Sequence, residues 1–195
     1  YHILSFNKEF LASHWFVIPH FNKDQRKIIL SKSDPVRYGS LLLAMEQIKK
    51  ENITGYIAEC GVWKGALSRF IHSQLPNKNY FLFDTFEGFD NRDLGKEKDG
   101  RFNNTNVDVV LDYIGGNKEK LIVKQGFYPE TTRGMKEESF SLVVLDFDKY
   151  DPTVAGLEYF YPLVEKGGFI FVHDYSSSES EFACSRALDE FLKDK

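Results

Sequence analysis

Short apolar runs that alternate with helical segments constrain the fold of this chain more than any other feature. The predicted strands are residues 56–59, 80–83, 121–123, 141–145 and 168–172. The predicted helices are residues 33–50, 65–75, 107–114, 153–164 and 182–192, with a helix or turn at 128–136. Apolar strands without polar alternation are buried on both faces, which is typical of a parallel sheet between helices. The sequence therefore predicts an α/β fold, a Rossmann-like, doubly wound and mainly parallel sheet with helices on both faces.

Two segments lie outside this repeat of strand and helix. Residues 1–32 mix apolar and polar side chains, which predicts a leader with one short helix that packs on the domain or covers a site. Residues 33–195 then form the ligand-binding domain. Residues 92–106 are polar and contain glycine, and they are the best candidate for a mobile lid.

Composition excludes several classes of partner. The chain has 195 residues and a net charge of −4, so no basic field indicates nucleic acid. No apolar run approaches the roughly 20 residues of a membrane span, and no signal peptide is visible. Cys60 and Cys184 provide neither a disulfide framework nor zinc-ligand spacing, so we expect a cytoplasmic protein. The aromatic content of 15% favours a well-filled core and an aromatic-walled pocket.

Acidic residues and glycines follow the first two predicted strands. The first strand leads into Glu59-Cys60-Gly61-Val62-Trp63-Lys64-Gly65. Glycines at such a turn let a ligand approach the backbone, and the following helix offers free N–H groups. Because the G-x-G-x-x-G pattern of dinucleotide sites is absent, the turn favours a ligand that carries an ammonium or sulfonium group and no phosphate. The alternative is a purely structural glycine turn.

Asp84 ends the second predicted strand. An acid at this place in an α/β domain can accept hydrogen bonds from both hydroxyls of a ribose. The alternative is an aspartate that caps the next turn. Glu59 and Asp84 together, each at a strand end, are more specific than either residue alone.

Three carboxylates and an imidazole follow the fourth and fifth predicted strands, namely Asp146, Asp148, His173 and Asp174. Carboxyl ends of parallel strands lie on one edge of a sheet, so we expect these side chains to converge beside the ligand. Unpaired buried carboxylates repel each other, which makes a hard divalent cation such as Mg²⁺ a natural counter-ion. Such a cation lowers the pKa of a bound hydroxyl, and a neighbouring Asp or His can take its proton. The alternative is a set of helix caps and surface salt bridges.

Together these motifs resemble the macrocin O-methyltransferase (TylF-like) family of class I S-adenosylmethionine-dependent methyltransferases. The resemblance covers roughly residues 33–192 and includes the lead-in segment Asp34-Pro35-Val36-Arg37. Five motifs follow in the family's order, at residues 59–65, 83–89, 128–131, 145–150 and 167–175. The resemblance implies S-adenosylmethionine as methyl donor. It also implies Mg²⁺-assisted methylation of a hydroxyl on a sugar or a glycosylated small molecule.

The resemblance also implies roles for individual residues. Glu59 and Gly61 would contact the methionine end of the cofactor, Asp84 would hold the ribose, and residues 125–127 would lie near the adenine. The complete predicted cofactor-binding set is Glu59, Gly61, Gly65, Asp84, Thr85, Phe86, Gln125, Gly126, Phe127 and Asp146. The predicted metal ligands are Asp146, His173 and Asp174. The predicted catalytic residues are Asp148, as general base, and His173.

Two features depart from the family pattern. Many relatives carry Asp-Asp where this chain has His173-Asp174, so one expected ligand is an imidazole. Class I methyltransferases usually continue into a sixth and a seventh strand, whereas this sequence ends after the fifth strand–helix unit. This predicts either a trimmed sequence or an open sheet edge that a partner chain covers, as in a homo-oligomer.

The leading functional hypothesis is an O-methyltransferase that acts on a small glycosyl or polyhydroxy substrate. One alternative is a metal-dependent glycosyltransferase, which the acid pair Asp146 and Asp148 suggests. Another is a non-catalytic, methyltransferase-like binding module, which His173 and the missing terminal strands suggest.

Overall fold

A computed structural model describes residues 21–32, 34–94, 99–135, 138–178, 180–193 and 195 of the chain. The predicted leader therefore lies largely outside the described residues. The chain divides into two compact units, Tyr1–Leu43 and Ala44–Lys195. No helix in the described part of the chain is both long and apolar enough to cross a membrane.

Two helices begin in the first unit. Helix α1 (Lys23–Leu30) starts with a capping box, in which Asn22 Oδ1 accepts from the Gln25 amide at 2.9 Å. In return the Gln25 side chain accepts from the Asn22 amide at 3.0 Å. Helix α2 (Pro35–Lys50) starts where the sequence predicts, because Asp34 Oδ1 caps the Arg37 amide at 2.9 Å.

The second unit alternates strands and helices. Its strands are β1 (Tyr56–Cys60), β2 (Tyr80–Asp84), β3 (Leu121–Gln125), β4 (Phe140–Leu145) and β5 (Val164–Val172). Its helices are α3 (Ala66–Gln74), α4 (Asn91–Leu94), α5 (Val107–Ile114), α6 (Tyr150–Phe160) and α7 (Ala183–Leu192). Short 3₁₀ turns lie at Lys118–Lys120, Glu130–Thr132 and Tyr161–Leu163.

The five strands form one parallel sheet in the order β3-β2-β1-β4-β5. On β1, Ala58 and Cys60 belong to one face, and Ile57 and Glu59 belong to the other, because side chains alternate along a strand. All four residues are buried, so helices cover both faces. The predicted Rossmann-like parallel fold is therefore confirmed, with β1 at the centre of its carboxyl edge.

The boundary between α6 and β5 differs from the sequence prediction. Helix α6 ends at Phe160, not at 164, because Pro162 in the following 3₁₀ turn has no amide to continue the helix. Strand β5 begins at Val164, not at 168. Its pairing with β4 contains a bulge between Phe140 and Leu142. The sequence pattern missed this because polar and glycine residues occupy the bulge.

Aromatic side chains fill the core on one face of the sheet. Phe160 is fully buried, and its ring lies 5.0 Å from that of Phe140 and 5.9 Å from that of Phe83. Both contacts are edge-to-face, the arrangement that aromatic pairs favour. Helix α6 is thus held against the strands that carry the residues described below.

Replacing Phe160 with alanine should destabilise the fold by about 3–5 kcal/mol, because it removes a buried ring and leaves a cavity. Urea unfolding measures this change. The matched control is Val109→Ala, at a side chain that is 60% exposed, which should change stability by no more than about 0.5 kcal/mol. Equal effects of the two substitutions would contradict this account of the core.

Candidate active site at the carboxyl edge of the sheet

The backbone links the carboxyl ends of three neighbouring strands. The Asp146 amide donates to the Cys60 carbonyl at 2.9 Å, which joins β4 to β1. The His173 amide donates to the Leu145 carbonyl at 2.8 Å, which joins β5 to β4. Residues that are far apart in sequence therefore begin their loops side by side.

The glycine turn after β1 (residues 61–65) is compact because it contains two glycines with positive φ. Gly61 has φ +86°, and a Cβ there would lie 2.0 Å from the Asp146 carbonyl oxygen. Gly65 has φ +76° and provides no side-chain cap for α3. A side chain at Gly61 would push the tips of β1 and β4 apart, so glycine is required by close backbone approach as well as by dihedral angle.

Asp84 fastens the glycine turn to the end of β2. Its Oδ2 accepts from the amides of Val62 at 2.7 Å and Trp63 at 2.8 Å, while Oδ1 accepts from the Phe86 amide at 2.7 Å. A carboxylate offers about four acceptor positions, and three are used here. The carboxylate thus has a structural role, and about one position is left for the ribose contact that the sequence predicts.

Glu59 is enclosed beneath the turn. It is 1% exposed, and its carboxylate accepts a short hydrogen bond from the hydroxyl of Tyr80, which is buried on the neighbouring strand. A buried carboxylate needs such a donor. The structure therefore shows Glu59 supporting the turn from within, and its contact with the methionine end of a cofactor stays a prediction.

Residues predicted to lie near the nucleoside gather at the ends of β2 and β3. The Gly126 amide donates to the Asp84 carbonyl at 3.0 Å, and the Gln125 side chain donates to the Thr85 carbonyl at 3.3 Å. The ring of Phe127 is covered by the Arg92 guanidinium, whose carbon lies 3.6 Å from the ring centroid. The first two contacts hold residues 84–85, at the end of β2, against residues 125–126, at the end of β3.

Two other members of the predicted set make internal contacts. Phe86 is 2% exposed, so its side chain belongs to the core and its backbone faces Asp84. The Thr85 hydroxyl donates to the Gly88 carbonyl and so closes the turn after β2.

The strand-tip cluster comprises Asp146, Asp148, His173 and Asp174. His173 Nδ1 lies 2.9 Å from Asp146 Oδ1 and 3.0 Å from Asp174 Oδ2. One donor atom from each of these three residues lies within 4.8 Å of the other two. The structure therefore brings together all the residues that the sequence predicts as metal ligands.

Asp148 completes the cluster beside Asp174. Burial raises the pKa of Asp148 to about 8, and a hydrogen bond with Asp174 and the charges of Asp146 and Asp174 act in the same direction. Arg101 lowers this pKa. Both Asp148 (φ +58°) and Asp174 (φ +55°) adopt left-handed backbone conformations, which cost about 1–3 kcal/mol each. Strain and like charge are thus concentrated in one place.

Aromatic and cationic side chains of the predicted lid lie against the glycine turn. The Trp63 and Phe102 rings are 5.4 Å apart, and Trp63 Nε1 donates to the Asn104 side chain at 3.2 Å. Phe102 also packs 5.3 Å from Phe89. We name Trp63, Phe89 and Phe102 the rim aromatics, and Trp63 is 42% exposed.

Two cations lie against the rim aromatic Phe89, and one of them, Arg101, also acts on Asp148 of the strand-tip cluster. Arg101 lies 5.4 Å from the centroid of Phe89, and Lys149 lies at the same distance from it. The sequence assigned no functional role to the rim aromatics or to Arg101; the high aromatic content and the predicted lid at residues 92–106 were the signals that pointed to them. Their proximity depends on the path of residues 99–106 past Trp63 and Phe89, which no local pattern encodes.

Two solved structures share this fold. The O-methyltransferase NovP superposes with a TM-score of 0.70 at 21% identity, over 83% of this chain and 72% of NovP. The calicheamicin methyltransferase CalS11 superposes with a TM-score of 0.61 at 17% identity, over 94% of this chain and 82% of CalS11. The parallel Rossmann-like sheet of this chain is therefore shared with both structures.

Residues 30–195 match the model of the macrocin-O-methyltransferase (TylF) family. The chain belongs to this family, and the resemblance inferred from its five motifs is confirmed.

Two relatives found by sequence comparison are also named as O-methyltransferases. The 8-demethyl-8-(2,3-dimethoxy-alpha-L-rhamnosyl)-tetracenomycin-C 4'-O-methyltransferase of Streptomyces olivaceus is 26% identical over 172 residues, which is 80% of this chain and 64% of the relative. The mycinamicin III 3''-O-methyltransferase of Micromonospora griseorubida is 23% identical over 174 residues, which is 80% of this chain and 67% of the relative. The chain thus spans about two thirds of the length of these relatives.

Replacing Asp84 with asparagine should destabilise the second unit by about 1.5–3 kcal/mol for each charge-assisted hydrogen bond that is lost. An amide has one acceptor oxygen and cannot serve the three backbone donors. The control is Asp112→Asn, whose side chain is 76% exposed in an ion pair with Lys118 and should matter by about 0–1 kcal/mol. Thermal and urea unfolding measure the loss of stability. Equal losses in the two variants would contradict the structural role of Asp84.

Proposed function

We propose that this chain is an S-adenosylmethionine-dependent O-methyltransferase for a hydroxyl on a sugar or a glycosylated small molecule. The observation that carries the proposal is the strand-tip cluster beside the glycine turn in a member of the TylF family. S-adenosylmethionine, when bound, supplies a methyl group on a sulfonium sulfur that an oxygen nucleophile can attack.

The glycine turn fits such a cofactor. A Cβ on Gly61 would occupy space at the backbone of Asp146, so the missing side chain leaves a surface of main-chain atoms at the centre of the edge. Asp84 holds this surface rigid and retains about one acceptor position for a ribose hydroxyl. Gln125, Gly126 and Phe127 would line the adenine side.

The strand-tip cluster fits a divalent cation. Asp146, His173 and Asp174 would hold it, because their donor atoms already lie together and the two carboxylates need a positive neighbour. A cation there would acidify a hydroxyl of the acceptor. Mg²⁺ is the ion that the resemblance implies.

Asp148 is the proposed general base. It lies in the same cluster, in hydrogen-bond contact with Asp174, where its ionised form can take the proton that leaves the acceptor hydroxyl. His173 stands between Asp146 and Asp174 and orients both carboxylates. These residues would position the hydroxyl oxygen for attack and remove its proton as the new O–CH₃ bond forms and the S–CH₃ bond breaks, its electron pair staying on sulfur.

A sugar acceptor is supported by the relatives and by the rim aromatics. The names of two relatives specify methyl transfer to oxygen of a rhamnosyl-tetracenomycin and of mycinamicin III. Aromatic rings present an apolar face on which the C–H face of a sugar ring can pack. Trp63, which is partly exposed on the glycine turn, is the proposed acceptor-binding side chain.

Asp148→Asn should bind S-adenosylmethionine as the native chain does but lose about 10²–10⁴-fold in turnover, because the amide cannot accept the proton. Isothermal titration measures cofactor binding, and mass spectrometry of a panel of glycosylated acceptors measures methylation. Asp151→Asn is the matched control, since Asp151 is an exposed residue in the first turn of α6.

Each outcome of this experiment has a separate meaning. No binding of S-adenosylmethionine by the folded native chain would reject the proposed function. Full turnover by Asp148→Asn would reject Asp148 as the base and leave the function standing.

A further inference from the structure

The strand-tip cluster offers a mixed set of metal ligands. Asp146 and Asp174 present carboxylate oxygens, whereas His173 presents an imidazole nitrogen. Hard cations such as Mg²⁺ prefer oxygen donors, and imidazole favours first-row transition metals. We propose that His173 Nδ1 is a metal ligand, and that the cluster therefore binds a transition-metal dication such as Mn²⁺ or Co²⁺ in preference to Mg²⁺. This inference rests on the cation site of the proposed function.

The distances from the imidazole nitrogen to the two carboxylate oxygens fit an octahedral ion. An octahedral cation with ligands at about 2.1 Å separates adjacent ligand atoms by about 3.0 Å. A tetrahedral ion with the same bond length separates them by about 3.4 Å. His173 Nδ1 lies 2.9 Å and 3.0 Å from the two carboxylate oxygens, as adjacent octahedral ligands do. This spacing suits an octahedral ion better than tetrahedral Zn²⁺, and among octahedral ions it is the imidazole nitrogen that favours Mn²⁺ or Co²⁺ over Mg²⁺.

Charge and surroundings agree with this assignment. Two carboxylates and a neutral imidazole together carry about the charge that balances a dication. Asp148 makes its hydrogen bond to Asp174 and so orients one ligand from outside the set, which is a common arrangement around metals. The three side chains are 19–29% exposed, so hydrated ions can reach them.

Two substitutions of His173 isolate the effect of the nitrogen. His173→Asn keeps the residue neutral and offers an amide oxygen, whereas His173→Asp completes an all-carboxylate set. The affinity for Mn²⁺ or Co²⁺ divided by the affinity for Mg²⁺ should be at least about tenfold higher in the native chain than in either variant. Isothermal titration with each metal salt alone measures the ratio. Pulsed electron paramagnetic resonance of bound Mn²⁺ should show coupling to a ligated nitrogen that both variants lack.

The outcomes separate this inference from the proposed function. Equal Mn²⁺/Mg²⁺ ratios in the native chain and both variants, or no nitrogen coupling in the native chain, would overturn the role of His173. Failure of any cation to bind the folded chain would overturn the site itself. Asp151→Asn should leave the ratio unchanged. The metal titrations contain neither cofactor nor acceptor, so they do not test the proposed function. A separate titration with S-adenosylmethionine tests it.

Discussion

The close approach of the glycine turn to the backbone that follows β4 is the contact on which the site depends. Only a residue without a Cβ allows the approach, since a methyl group on Gly61 would lie 2.0 Å from the Asp146 oxygen. Asp84 then ties the same turn to β2 through the amides of Val62 and Trp63. Three strand ends are thus joined, two by close backbone approach and the third by the Asp84 carboxylate.

The carboxylates at this edge of the sheet repel one another, and this repulsion destabilises the fold unless other interactions offset it. Asp146, Asp148 and Asp174 bring like charges together, and two of them adopt left-handed backbone conformations. Arg101 relieves part of the repulsion, and the aromatic core around Phe160 stabilises the sheet beneath. Local rules of stability are often violated at functional sites and compensated elsewhere. The concentration of such violations at one edge supports a chemical role for this cluster.

The chemistry of the edge divides between its two halves. On the side of β2 and β3, main-chain atoms and one nearly saturated carboxylate, Asp84, suit a neutral or cationic nucleoside, because the carboxylate repels an anion such as phosphate. On the side of β4 and β5, carboxylates and an imidazole suit a cation and a hydroxyl. The rim aromatics lie beside the junction between the halves, which is where an acceptor would meet the cofactor.

The sequence by itself determined the order of strands and helices and the edge at which Asp84, Asp146 and His173 gather. It could do so because burial periodicity is local, and because parallel strands must end on the same side of a sheet. Only the tertiary structure decided that Asp84 is occupied by three amides, that Glu59 pairs with Tyr80, and that Trp63 meets Phe102. These are contacts between residues distant in the chain, and they depend on side-chain direction and loop path. Neither property leaves a periodic pattern in the sequence.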